Sequence, residues 1–489
     1  MRTPPSCQPL LATMLLVAAC GGARVNAATT GPVERRLSDA SQREQVSITL
    51  YEDFGLVREI RNVDLARGKV ALELRDVAAQ IQPETVHIQS LTAPDALTVF
   101  EQNYRYDLLT SKNLLEKYVG KRVKLHRYDA QRGVEDDFEA EVLAANDIPV
   151  LKVNGEITYG FPGRISFPDV PANLIAKPTL ALLLGSSQAR QRVEVAYVTK
   201  GLGWVSDYVL TVDDSDGAAD LVGWVTLTNH SGAAYEDARL KLVAGHVQRV
   251  DSDVGHIVPM MESLHRRAEQ DVFTEQGLFE YHLYALERPT TLLDNEQKQV
   301  RLLHASGIQI AKKLVLFGET ARSGAGDWAA NTVGSTTNHK AIVYLDIENA
   351  ENNHLGMALP KGTVRVYKAD KNGAGQFIGE GRIDHTSRDE RLHIKVGESF
   401  DVAGDRRQAS WLSLGRCSAE SEWEISLRNH KDSAQAVEDV EPVDGEWEIL
   451  SSSRPVTRRG PAAFVFDASI PARGEVKIQY RVRVRWCRL

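Results

Sequence analysis

Histidines, carboxylates, arginines and cysteines make up the reactive repertoire of this chain, and their spacing decides which chemistry they could perform. Of 13 histidines in 489 residues, His246, His256, His265 and His282 share one window. None has a partner at i,i+4 or at the i,i+2 spacing that puts two side chains on one strand face, so the ligand pattern of zinc or copper is missing. His230 and His430 each follow an asparagine and read as turn residues. The densest acidic run is Asp213-Asp214-Ser215-Asp216-Gly217. A calcium loop with its glycine at Gly217 would need acids where Val212 and Gly223 stand, so the run reads as a glycine-ended hairpin turn. No Gly-x-Ser-x-Gly, His-Glu-x-x-His or phosphate-binding glycine loop occurs, and no cofactor is implied. A hydrolase acting on a glycan or peptide would have to use scattered carboxylates such as Asp207, Glu280 and Asp346.

Arg481, Arg483 and Arg485 alternate with Val482, Val484 and Trp486, which puts the guanidinium groups on one strand face. Such a row suits phosphate or acidic polysaccharide. Glu420, Glu422 and Glu424 show the opposite pattern, and an antiparallel register with Glu420 opposite Arg485 neutralises the row as a structural ladder. The overall charge is −8, which removes the field argument for nucleic acid.

The first residues are an address. Leu10 to Ala19 is a short apolar run, too short to span a bilayer and typical of an export signal. Val17-Ala18-Ala19-Cys20 resembles a lipobox, with Cys20 the lipidated first mature residue. Val25-Asn26-Ala27 offers ordinary cleavage instead, and the residues leave both open. Either removes Cys7. Cys417 and Cys487 then remain in an oxidising compartment as a disulfide candidate.

From Val46 onward apolar and polar residues alternate, as in Val46-Ser-Ile48-Thr-Leu50 and Val70-Ala-Leu72-Glu-Leu74, the period of half-buried strands. Turn signals at short intervals favour antiparallel sheets. One short helix is predicted after Thr110-Ser111, ending near Gly120, and five short strands follow it as a small barrel loosely like the Sm or SH3 type. Three strands end alike, on Asn229, Asn349 and Asn429, each with apolar residues two and four positions earlier. Asparagine suits that place because it closes an Asx turn. The unequal spacing excludes a solenoid and points to successive sandwiches.

Several motifs carry a resemblance. They are Tyr104-Arg-Tyr-Asp107, Leu115-Glu-Lys-Tyr-Val-Gly120, Gly201-Leu-Gly-Trp204-Val-Ser-Asp207-Tyr208, Gly223-Trp224-Val-Thr-Leu-Thr-Asn229, Phe279-Glu-Tyr281-His-Leu-Tyr284, Arg288-Pro289-Thr-Thr291 and Arg428-Asn429-His430-Lys431. In this order they resemble a bacterial envelope family, the domain of unknown function numbered 4139, which also forms the C-terminal part of mucoidy inhibitor A proteins. The resemblance runs from Val46 to Trp486, lacks the long coiled coil of those proteins, and brings no catalytic residues.

The expected fold is all-β with very little helix. An export signal (1–27, or 1–19 for a lipoprotein) and a tether (28–45) precede an N-terminal β-domain (46–108). A helix and small-barrel insertion (109–170) comes next, then an Ig-like β-sandwich (171–250), a linker (251–276), and sandwiches over 277–410 and 411–489. The expected role is a non-catalytic periplasmic or outer-membrane binding or scaffold protein. Its partners would be an envelope protein or surface polysaccharide, with membrane contact only through a lipid anchor and no nucleic acid. The alternatives are the hydrolase and a small-ligand carrier.

Overall fold

Alternation of buried and exposed residues recurs along nearly every strand of the computed structural model, which describes residues 33–171, 173–245, 247–248, 273–318, 333–370 and 372–486. Thirty strands and a single seven-residue α-helix lie among these residues, so the fold is all-β. In Arg43–Leu50, Val46, Ile48 and Leu50 point inward, and a tight turn returns the chain as Phe54–Asp64 with Ile48 opposite Val57. This hairpin is the middle of an eight-stranded sheet. Arg190–Lys200 extends it on one side, and Tyr235–Ala244 pairs in parallel on the other. A four-stranded sheet supplies Leu72, Leu74, Leu180 and Leu182 to the same core. Each such buried leucine is worth about 1.5–3 kcal/mol.

That core also encloses charge. Arg61 is fully buried and donates to Glu59 Oε2 at 2.8 Å and to the carbonyls of Ser38 and Arg75 at 3.1 and 2.9 Å. Arg43 and the Tyr197 hydroxyl both donate to Glu59 Oε1 at 3.2 Å. Arg61 explains one departure from expectation. Residues 34–38, read as tether, form the strand Glu34–Ser38, paired in parallel with Gly68–Arg75. Backbone pairing and the hold of Arg61 on Ser38 order this segment, and neither leaves an apolar pattern.

The insertion opens with the helix Ser111–Lys117, whose Thr110 cap accepts from Asn113 N at 3.1 Å. Arg122–Asp129, Val134–Ala144, Val150–Val153 and Glu156–Tyr159 form a meander, and Arg164–Ser166 returns to pair with the first. Tyr118, Leu125, Val142 and Leu151 give it a separate core. The sheet does not close into the expected barrel. Its edges, Glu156–Tyr159 and Arg164–Ser166, are short, and Gly160, Pro162 and Gly163 interrupt the chain between them.

The remaining strands join one thirteen-stranded sheet. Two members are unusually long. Glu296–Phe317 pairs first with Ala218–Asn229 and then, from Ile310, with Thr336–Glu348. Arg391–Ser413 pairs with Thr336–Glu348 as far as Arg407 and, from Val402, also with Ser418–Asn429, so it runs straight through the division expected at 410. The expected linker also ends in a strand, Phe273–Leu278.

A structural repeat underlies the sheet. Leu202 pairs with Asn229 as Val402 pairs with Asn429. His230 N donates to Gly201 O as His430 N donates to Asp401 O. The strand after each asparagine turn pairs in parallel with an earlier strand, Leu240 with Ile48 and Val440 with Phe317. The C-terminal unit has its own core around Leu427, Phe464, Phe466 and Ile478.

The glutamate and arginine strands are antiparallel neighbours as expected, but the register differs by two residues. Glu420 faces Arg483, Glu422 faces Arg481, and Ser418 faces Arg485. Glu420 accepts from both Arg481 and Arg483 at 2.6 and 2.7 Å, and Glu448 and Glu446 approach from the other side. The arginine row is therefore an internal ladder.

Candidate functional site

The asparagine repeat does more than close turns. Asn429, 1% exposed, donates from Nδ2 to Ser433 O at 2.8 Å and Pro471 O at 2.9 Å, while its Oδ1 accepts from Lys431 N at 3.0 Å. Asn229 makes the equivalent bonds to Ala233 O, Leu293 O and Ser231 N at 2.8, 2.9 and 3.0 Å. Asn349 donates to Met357 O and Ser387 O at 2.8 and 2.9 Å. Each asparagine thus ties its own turn to the start of the neighbouring strand. In all three cases a left-handed residue (Asn295, Asp389, Arg473) precedes the cross-strand partner.

The Asn429 clamp fixes the backbone of Lys431, which lines a cleft of about 320 Å³ near the place where Glu296–Phe317 changes partner and Arg391–Ser413 gains a second one. Val212, Leu345 and Val396 make its apolar floor. Asp216 stands in the hairpin turn after Val212 in a left-handed conformation, φ 59°. Neighbouring strands flank this turn on both sides, since Val212 pairs with Lys368 and Gly217 O accepts from Ile310 N. Each flank sends one lysine to Asp216: Lys312 at 2.5 Å and Lys368 in a short contact. Burial pushes the Asp216 carboxyl up, but the two lysines outweigh it and hold the group below its ordinary value. Lys431 is different. Among the described residues no carboxylate lies within ion-pair distance of its ammonium; burial, and then Lys312, hold it below the usual lysine value against Asp401 and Asp216.

The rim comes from a bulge. Ile342 pairs with Glu398 but Lys340 already pairs with Ala403, so the strand bulges over residues 399–401 before Val402 rejoins the sheet opposite Asn429. Phe400 is left 86% exposed between Ser399 and Asp401, with Glu398 beside it. Edge strand Gly375–Ile383 forms the facing wall. Its Gly379, φ 154°, lies so near Val396 that a Cβ would fall 2.0 Å from the Val396 carbonyl oxygen.

The residues singled out for chemistry do not assemble elsewhere. Asp207 accepts from Arg365 at 2.9 Å, Asp346 contacts His393 and Lys313, and Glu280 is exposed in the hairpin turn before Tyr281. His282 pairs with Glu275 at 2.7 Å, and His230 with Asn295 at 3.2 Å. His246, His256, His265, Cys20 and the export segment lie outside the described residues. Asp213 closes the acidic turn by accepting from Gly217 N and Ala218 N at 3.0 and 3.1 Å, as a hairpin turn requires. His126, Glu135 and Asp137 place three donor atoms within 4.8 Å of one another on the insertion. However, Arg164 holds both oxygens of Glu135 at 3.1 Å, and His126 pairs with Asp137 at 2.7 Å. Cys417 is disulfide-bonded; Cys487, its expected partner, lies outside the described residues.

A second buried charge cluster lies in the C-terminal unit. Arg406 donates to Glu441 Oε2 at 2.8 Å and stacks 3.5 Å from the Trp423 ring centre. Beside it, burial and then Glu441 push the Asp439 carboxyl well above the usual range. A wider hollow, about 860 Å³, lies near Arg43 and Lys177 and is lined mainly by small and charged residues.

Lys312, Lys368 and Phe400 went unnoticed in the sequence, and Lys431 entered only as the last residue of a motif. The first two occupy polar positions of alternating strands, which look solvated until topology brings them to one turn. Lys431 had one signal, its place two residues after a repeat asparagine. No protein-family model matches the chain, and no curated protein matches it.

Proposed function

We propose that this chain is an exported bacterial envelope protein that binds a ligand in the cleft at the strand crossover without transforming it. Lys431 carries the reading. Its ammonium has no ion-pair partner among the described residues, yet it faces a hollow whose other lysines are already fixed on Asp216. Leaving a partly desolvated charge unpaired is costly, and a ligand anion removes that cost. Export rests on the apolar run before Cys20, and the bacterial envelope rests on the resemblance of the ordered motifs to the domain family numbered 4139. Lipid anchoring requires acylation of Cys20.

Asp207, Glu280 and Asp346 sit on separate elements with separate surroundings, so these three do not form the carboxylate pair that the hydrolase alternative needs. Tagged mature protein, cross-linked in its own envelope, tests the binding reading. The component captured by the wild type is expected to be lost with Lys431→Gln. Identical capture by a folded Lys431→Gln protein would overturn the assignment to this cleft. Fatty-acid labelling tests the anchor, and a Cys20→Ala protein that labels as strongly as wild type rejects it.

A further inference from the structure

The cleft's mixture of groups narrows the ligand beyond an anion, and this step rests on the binding reading above. Three features must be met together. Lys431, with Lys312 beside it, calls for negative charge. Phe400 is 86% exposed although the Lys340 ammonium lies 5.4 Å from its ring centre, so most of the ring still calls for an apolar surface to cover it. Glu398 and Asp401 flank that ring, and carboxylates accept hydrogen bonds without donating any.

A phosphate or sulfate ester satisfies Lys431 but brings concentrated negative charge close to Glu398 and Asp401. A fatty carboxylate covers Phe400 but offers the two acids nothing to accept. A neutral sugar donates hydroxyls and stacks its C–H face on the ring, but it leaves Lys431 unpaired. A sugar bearing one carboxylate meets all three requirements. Its single charge pairs with lysine, its ring lies on Phe400, and its hydroxyls donate to the acids. The volume of about 320 Å³ is at the small end for a ligand pocket and suits one or two such rings, with a longer chain leaving through the open side.

We infer that the cleft binds a carboxylate-bearing sugar of an acidic glycan, with the carboxylate on Lys431, the ring on Phe400 and hydroxyls on Glu398 and Asp401. The site is preorganised. Asn429 fixes the Lys431 backbone, Asp216 fixes the other two lysines, and the bulge holds Phe400 out of the sheet.

Calorimetric titration of the mature protein at low salt tests the assignment with three probes: a trimer of galacturonic acid, a neutral galactose trimer of the same linkage, and inorganic sulfate. The acidic trimer is expected to bind, and the other two to bind at least tenfold more weakly. Lys431→Gln and Phe400→Ala should each weaken the acidic trimer at least tenfold while leaving the melting temperature near that of wild type. Sulfate binding as tightly as the trimer, with Phe400→Ala unchanged, would reduce the cleft to a plain anion site and overturn the inference. Absence of trimer binding to folded wild type would overturn it as well. In that event, loss of a captured envelope component by Lys431→Gln would still uphold the binding reading, so the two ideas fail separately.

Discussion

Replacing Asn429 by alanine removes three hydrogen bonds of 2.8, 2.9 and 3.0 Å, besides a longer one of 3.3 Å to the Ile470 carbonyl from the same Nδ2, from a side chain that is 1% exposed. A net contribution of about 1 kcal/mol per bond gives a loss of roughly 3 kcal/mol. The carbonyls of Ser433 and Pro471 and the Lys431 amide stay behind without their partner, and each that no water reaches adds to that figure. Urea unfolding followed by tryptophan fluorescence reads the change, because Trp411, Trp423 and Trp447 all report on the C-terminal unit. With separate cores, the transition to analyse is the one belonging to that unit. Exposed Asn372 is the control, and its alanine variant should stay within about 0.5 kcal/mol of wild type. Asn429→Asp should be worse than alanine at neutral pH, since it points an anion at carbonyl oxygens. A loss below about 1 kcal/mol for Asn429→Ala would refute the view that the repeat asparagines clamp neighbouring strands.

Glu59→Ala should cost about 3–5 kcal/mol in chemical denaturation, because it strands the fully buried Arg61; a loss under about 1 kcal/mol would show that the cluster relaxes into water. Asp439 has a folded pKa raised above its unfolded value, so its contribution to stability is full below the unfolded pKa and is lost as pH rises through the folded one. Asp439→Asn should therefore melt higher than wild type at pH 8, with the gap closing toward pH 4; a gap constant with pH would count against the assignment. Anion binding to the cleft should weaken on the alkaline side, with a midpoint below the ordinary lysine value, since Lys431 must be charged to bind. Competition titrations across pH 7 to 10 check this against Lys431→Gln, which should be flat. Peptide mapping without reductant should recover Cys417 joined to Cys487, and Cys417 recovered as a free thiol would reject the pair.

Strand existence was legible because one-sided burial writes a period of two into the sequence. The helix at Ser111–Lys117 was legible from its Thr110 cap, and the repeat from its asparagines. Register was not. Shifting Ser418–Asn429 by two residues against Glu475–Arg485 leaves every glutamate opposite the arginine face, so the pattern cannot tell one pairing from the other. Glu34–Ser38 was missed because main-chain bonds and one guanidinium hold it. The cleft was missed for a third reason. Phe400 reads as a core residue by type, and only the bulge over 399–401 turns it to solvent.

The two long strands have a mechanical consequence. At roughly 3.3 Å per residue, the 23 residues of Arg391–Ser413 make a beam of at most about 75 Å, less what the bulge at Phe400 takes up. Glu296–Phe317 runs as a second beam of nearly the same length. Two modules joined by a loop swing independently, but two modules that share beams bend only by breaking ladder bonds. The jaws of the cleft, Lys312 on one beam and Phe400 on the other, are therefore set at a fixed gauge. Tension pulling the two ends of the sheet apart would load the beams in shear, so this part of the protein would act as a strut.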